Sequence, residues 1–305
     1  MRICSLLPGA TEIVFALGLG DSLVGVTHEC DFPPEAREKR VMVRSAVDSG
    51  ALTSAEIDLQ VSNVLSSGKS LYTLDIAGLR AVQPDIIITQ GLCDVCALDY
   101  DDVVRAARLL PQEPKIVSLN PHSLTDVLED ISRIGAVTKQ RRQAELLVNQ
   151  FTDRIEAIRF RAAQALSRPR TLCLEWFSPL YVAGHWLPEM VEIAGGIHVL
   201  AKKEQPSRKI EWSQVCDAKP ELILLMPCGF DVARAMVESA VLKNFPGWSD
   251  LPAVKAGTVY AVDSSAYFSR PGPRLIDGLE LLATIIHPDC FPPPLSLAGA
   301  KRVTL

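Results

Sequence analysis

The sequence predicts an α/β fold: two Rossmann-like lobes with central parallel sheets, joined by one long α-helix. Three observations carry this expectation. Short β-rich runs alternate with amphipathic helical runs, the signature of a parallel sheet with crossover helices. A long helical pattern without proline fills the middle of the chain, and after it the first pattern returns.

In order along the chain, residues 3–7 read as a strand. Pro8–Gly9 turns into a helix over 11–17, and Gly18 stands where that helix should stop in a left-handed conformation. Residues 23–27 are a second strand. The stretch 74–82 is helical, Pro84 ends it, and 85–89 is a buried strand; 101–110 is helical and 115–119 a strand. From Leu124 to Leu166 apolar residues recur at helical spacing (Val127, Ile131, Ile134, Leu146, Leu147, Phe151, Ile155, Ile158), interrupted only by Gly135. At ~1.5 Å per residue such a helix would span ~60 Å, longer than one small lobe and suited to connect two. Residues 171–175 are again a strand. The run Glu189-Met-Val-Glu-Ile-Ala-Gly195-Gly196 echoes Glu12-Ile-Val-Phe-Ala-Leu-Gly18-Leu19, and Lys219-Pro-Glu-Leu-Ile-Leu-Leu225 echoes Gln83-Pro-Asp-Ile-Ile-Ile-Thr89. Residues 259–262 match 115–119. The interval from Glu12 to Pro84 is more than twice that from Glu189 to Pro220, so the first lobe carries an insertion at about 44–71, helical near 55–65. The expected domains are a first lobe over 1–122, the connecting helix over 123–167 and a second lobe over 168–305.

Composition narrows the function classes. The 305 residues are 48% hydrophobic and 22% charged, which excludes a disordered or collagen-like chain. A net charge of −5 without a basic run offers no footprint for nucleic acid. No apolar stretch approaches the ~18 residues of a membrane span. Arg2 is the sole early positive charge and Pro8–Gly9 breaks the first apolar run, so no secretory signal is read. The expected location is cytoplasmic, or extracytoplasmic if a leader has been trimmed away. Of eight cysteines, Cys4, Cys173 and Cys228 sit in apolar runs and read as small buried hydrophobes; Cys93 and Cys96 form a Cys-x-x-Cys. The sequence has no Gly-x-Ser-x-Gly elbow, phosphate-binding loop or His-Glu-x-x-His, so it is not expected to be an enzyme.

An ordered set of segments resembles a known family. They are Leu6-Leu-Pro-Gly-Ala-Thr-Glu12 with Ala16-Leu-Gly18, Gly25-Val-Thr-His-Glu-Cys-Asp-Phe-Pro-Pro34, Pro84-Asp-Ile-Ile, Val191-Glu-Ile-Ala-Gly-Gly196, Trp212 with Lys219-Pro-Glu221, and Phe268-Ser-Arg-Pro-Gly-Pro-Arg274 before a closing helix. Together they run over nearly the whole chain and resemble the periplasmic binding proteins whose lobes are joined by a helix, in the branch that binds cobalamin and iron–siderophore chelates. The insertion and the Thr89-Gln-Gly-Leu-Cys-Asp-Val-Cys96 segment resemble a cytosolic-looking subgroup of that family, in which no export signal is expected. The resemblance implies a corrinoid, cobalamin-like or other metal-chelate ligand and, where transport is the role, an ABC-type permease as partner.

In two-lobed α/β proteins ligands sit in the crevice at the carboxyl ends of the strands. That rule selects 7–10, 28–32, 90–96, 176–186, 227–230 and 264–270. The candidate ligand-binding residues are Glu29, Cys30, Gln90, Cys93, Glu175, Trp176, Trp186, Trp212, Tyr267 and Arg270, aromatic walls with a few polar fixings. His28, Cys30, Cys93 and Cys96 could supply four tetrahedral zinc ligands, Cys93 and Cys96 could form a redox pair, and His185 could reach a chelated metal axially. His122, His198 and His287 read as structural. The reading is a ligand-binding protein for a corrinoid or other metal-chelate. The rivals are an intracellular metal- or thiol-site protein using the His28/Cys30/Cys93/Cys96 cluster, and a degenerate binder whose closed lobes dock a partner protein.

Overall fold

A computed structural model describes residues 1–91, 98, 100–291 and 299–304. The first lobe runs β1 (Ile3–Ser5), α1 (Pro8–Ala16), β2 (Leu23–Thr27), β3 (Val41–Ser45), α2 (Ser54–Ser66), β4 (Tyr72–Leu74), α3 (Ile76–Val82), β5 (Ile86–Gln90), α4 (Tyr100–Arg108) and β6 (Lys115–Leu119). Its sheet has the order β4-β3-β2-β1-β5-β6, parallel except for β4. β1 and β5 lie in the middle, covered on both faces, and all their residues are buried. This is why they read as unbroken apolar runs rather than alternating ones.

Helices α5 (Leu124–Val137) and α6 (Arg141–Ala162) follow. The second lobe contains β7 (Arg170–Phe177), β8 (Leu180–Val182), α7 (Leu187–Ile193), β9 (Ile197–His198), β10 (Arg208–Lys209), α8 (Trp212–Ala218), β11 (Leu222–Leu225), α9 (Val232–Glu238), α10 (Pro252–Ala256), β12 (Val259–Val262), α11 (Ser264–Tyr267), α12 (Arg274–Ile286) and β13 (Ala300–Arg302). Its sheet has the order β10-β8-β7-β11-β12-β13, with β9 beside β7; the β8, β10 and β13 pairings are antiparallel. The α/β class and the two parallel-rich sheets are as the sequence leads one to expect.

The same backbone devices recur in both lobes. α3 ends on Gln83 and α8 on Lys219, both left-handed at φ 44°, each just before a proline. Gly18 after α1 and Gly195 after α7 also take positive φ, 75° and 87°. A residue with no Cβ meets no penalty there, so glycine marks both stops.

The middle segment differs from the single helix expected. It turns at Thr138–Gln140, with Lys139 at φ 63°, into two helices packed on each other. Gly135 is the reason: a Cβ there would lie 2.3 Å from the Ala144 Cβ, so α6 reaches α5 only because residue 135 has none. No proline signals the turn. α5 packs against α1 of the first lobe, and α6 against α7 and α12 of the second. One hydrophobic cluster therefore runs from Ile3 and Val14 through Ile131 and Phe151 to Met190 and Leu279, uniting the lobes. No described helix is long and apolar enough to cross a membrane.

Candidate functional site

Residues that follow β1, β2, β3 and β6 in the first lobe contact the second lobe. The β2 exit shows how each side chain is aimed. Cys30 turns inward: its sulfur lies 3.1 Å from Thr11 Oγ1 and 3.3 Å from Thr27 Oγ1, and burial pushes the thiol pKa up. Its neighbours point the other way. Asp31 accepts a hydrogen bond from Arg270 of the second lobe, and Glu29 lies 3.5 Å from the same guanidinium. Arg274 donates to both Glu12 oxygens, at 2.6 and 3.0 Å, and its guanidinium sits 4.2 Å above the Phe32 ring. Glu12 is 4% exposed, and its burial pushes the carboxyl pKa up against the opposing pull of Arg274. Beside these pairs the backbones of the lobes touch: a Cβ at Gly9 would lie 2.4 Å from the Pro271 carbonyl oxygen.

Three further contacts bridge the lobes. The His122 ring, after β6, lies 5.7 Å from that of His185, after β8. Both Nδ1 atoms are buried without a hydrogen-bond partner, and His185 holds φ 51°. Burial, then the neighbouring His122, pulls the His185 pKa down. Glu189 caps α5 by accepting from the Leu124 amide at 2.9 Å. Finally, the start of α2 docks on the second lobe, where Trp176 donates its indole N–H to the Ser54 carbonyl at 3.2 Å.

The sequence-selected residues thus separate. Glu29 and Gln90 stand at crevice ends of strands, Glu29 exposed and Gln90 8% exposed. Glu175 accepts from Ser207, and Trp176 is half-buried, edge-on to Phe230 at 5.5 Å. Trp186, by contrast, is 5% exposed within the inter-lobe core, its N–H donated to the Phe268 carbonyl. It walls the core, not the crevice. Trp212 stacks on Phe245 at 4.7 Å and donates to the Pro246 carbonyl, and the nearby Trp248 is 4% exposed. Tyr267 is half-buried, its ring where a Cβ on Gly299 would fall. Arg270 is placed at the crevice but engaged by Asp31 and Glu29.

The zinc set is corrected for its described half. His28 lies against the Val43 carbonyl and the Glu29 carboxylate, while Cys30 is turned into the core against Thr11 and Thr27, away from His28. Cys93 and Cys96 lie outside the described residues. Among the described residues no three His, Cys, Asp or Glu side chains gather as a metal site. Cys228, read as buried, is exposed after β11. Sequence reasoning missed Glu12, Asp31, His122 and Arg274 as inter-lobe groups, and Arg234, which donates to the Ser49 and Leu52 carbonyls. Of these, Glu12 and Arg274 carried a signal: a charge inside an otherwise apolar helical run, and an arginine closing a Pro-Gly-Pro turn. A concavity of about 480 Å³ lined by Arg170, His198, Gln214 and Asp217 lies at the other end of the second sheet, where β7 begins.

Two α/β lobes, with loops and charged side chains meeting between them, give the architecture of the two-lobed binding proteins. The chain belongs to the periplasmic binding protein family, whose profile matches residues 3–266. It is 26% identical over 296 residues to an uncharacterized ABC transporter substrate-binding lipoprotein, YvrC, of Bacillus subtilis (strain 168), covering 95% of this chain and 81% of the relative. It is 24% identical over 292 residues to a vitamin B12-binding protein of Vibrio cholerae, covering 93% of this chain and 88% of that one. In structure it is similar to a periplasmic heme binding protein from Pseudomonas aeruginosa, with a TM-score of 0.75, 18% identity and coverage of 100% and 98% of the two chains.

Proposed function

We propose that this chain is the substrate-binding component of an ABC-type uptake system and holds a corrinoid or related flat metal chelate in the inter-lobe crevice, handing it to a permease. The observation that supports this most is coverage. The family match over residues 3–266 takes in both walls of the crevice, and the kinship with a vitamin B12-binding protein extends over 93% of the chain. The chemistry on the crevice walls suits the reading. Trp176 and Phe32 offer aromatic surface, and His28, Glu29, His122 and His185 offer donors and acceptors for a polar periphery.

Native mass spectrometry with cyanocobalamin, haem and a ferric siderophore tests the reading, with a one-to-one complex expected for at least one of them. Trp176→Ala should weaken that complex about thirtyfold, the ~2 kcal/mol of a central aromatic anchor, with the fold retained by circular dichroism. Absence of a complex with all three would defeat the proposal. Fractionation of the source cells should place the protein outside the cytoplasmic membrane if uptake is its role.

A further inference from the structure

Resting on that reading, we infer that residues 46–70, the insertion between β3 and β4, form a lid that closes the crevice by docking on the second lobe and opens while the lobes stay in place. The segment joins β3 to β4, the edge strand of the first sheet, whereas the chain crosses between lobes after β6, at the opposite edge. Its hydrogen bonds to the second lobe come from its first half. Ser54 donates its hydroxyl and its amide to Glu238 on α9, at 2.8 and 3.2 Å. Arg234, one turn earlier on α9, donates to the carbonyls of Ser49 and Leu52, at 2.5 and 2.8 Å. Trp176 donates to the Ser54 carbonyl, and Ile57 packs on the second-lobe core.

The receiving surface is a relay of stacked groups. Trp176 meets Phe230 edge-on, and the Arg234 guanidinium lies 3.7 Å over the Phe230 ring, which holds the arginine against the lid backbone. Only Ser54 of α2 is buried: Leu59 and Leu65 are 61% and 44% exposed, and most of its other residues are open to solvent. A helix held at one end by side-chain hydrogen bonds, with little buried apolar surface of its own, opens locally at far lower cost than the lobes separate. The lobes, by contrast, share one continuous apolar core and two sets of ion pairs. The lid also accounts for Trp176: the indole N–H that a ligand would meet is engaged by Ser54 until the segment lifts.

Hydrogen exchange of the full chain, without ligand, tests the lid directly. In the Arg234→Ala, Glu238→Ala double variant the amides of 54–66 should exchange at least about tenfold faster, those of β7 and β11 should keep their wild-type rates, and Trp176 emission should shift to the red. Unchanged exchange in α2, or acceleration that spreads equally to β7 and β11, would overturn the lid. Stopped-flow binding of cyanocobalamin then reads the gate: association should be several-fold faster in the double variant, and an unchanged rate would overturn the gating role. A failure of cyanocobalamin, haem and siderophore alike to bind either protein counts against the ligand reading, while the exchange experiment still decides for or against the lid.

Discussion

Arg274 makes the buried carboxylate of Glu12 tolerable. The two side chains are 14% and 3% exposed, and a pair so placed gains little over an apolar pair, but removing one partner strands the other charge. Arg274→Ala should therefore lower unfolding stability by roughly 3–5 kcal/mol in a urea titration, and Glu12→Gln in the same background should recover part of it. Asp130, buried on α5 with Arg133 at 4.0 Å, behaves differently: burial outweighs its counter-charge and pushes its pKa up to about 7. An unfolded Asp titrates near ~3.9, so the native state holds the proton more tightly. Asp130 therefore contributes its full stabilisation below about pH 4 and loses it as the pH rises towards 7. Asp130→Asn should raise stability at pH 8 by on the order of 2 kcal/mol and flatten the profile between pH 4 and 7. Denaturant midpoints for both proteins across that range measure it; a variant less stable than the parent at pH 8 contradicts the assignment.

At the scale of elements, the strands and most helices were legible because their determinants are local. The strands at 23–27 and 115–119 fall where apolar β-branched residues cluster, and the α2 helix has a capping box, with Thr53 and Glu56 each accepting from the other's amide. The break between α5 and α6 was not legible, since its cause is a contact between residues nine apart across a turn. Gly135 reads locally as a weak spot in a long helix, yet it functions as the point where two helices touch. Gly135→Leu should thus cost well beyond its gain in helix propensity, on the order of 3 kcal/mol by overpacking, while leaving the helical content by circular dichroism nearly unchanged. The strand β3, between β2 and the edge strand β4, was missed as well. Its interval, Val41–Ser45, carries Arg44 at an exposed position and lies just before the insertion, where the pattern gives way to polar residues.

The whole molecule combines a stiff joint with a movable edge. The core that runs through both lobes, the Gly9–Pro271 approach and the Arg270 and Arg274 pairs oppose a wide hinge motion. Small-angle scattering should accordingly show no resolvable change in radius of gyration when a ligand saturates the crevice, since rocking of a few degrees about packed helices moves little mass. A large compaction would refute the stiff joint.

By itself the sequence determined the α/β class, the internal repeat, the exit loops where a crevice must lie, and the family to which the chain belongs. Those follow from periodicity, turn residues and segment order, which are properties of neighbours along the chain. Tertiary structure alone decided which way each loop residue faces. Trp176 and Trp186 stand ten residues apart beside the same hairpin, and one meets the lid while the other enters the core. Arg270 finds Asp31 at a sequence separation of 239, and Arg274 finds Glu12 at 262. No local pattern encodes such partners, because the free energy that joins them arises only when two separately formed sheets bring their exit loops together.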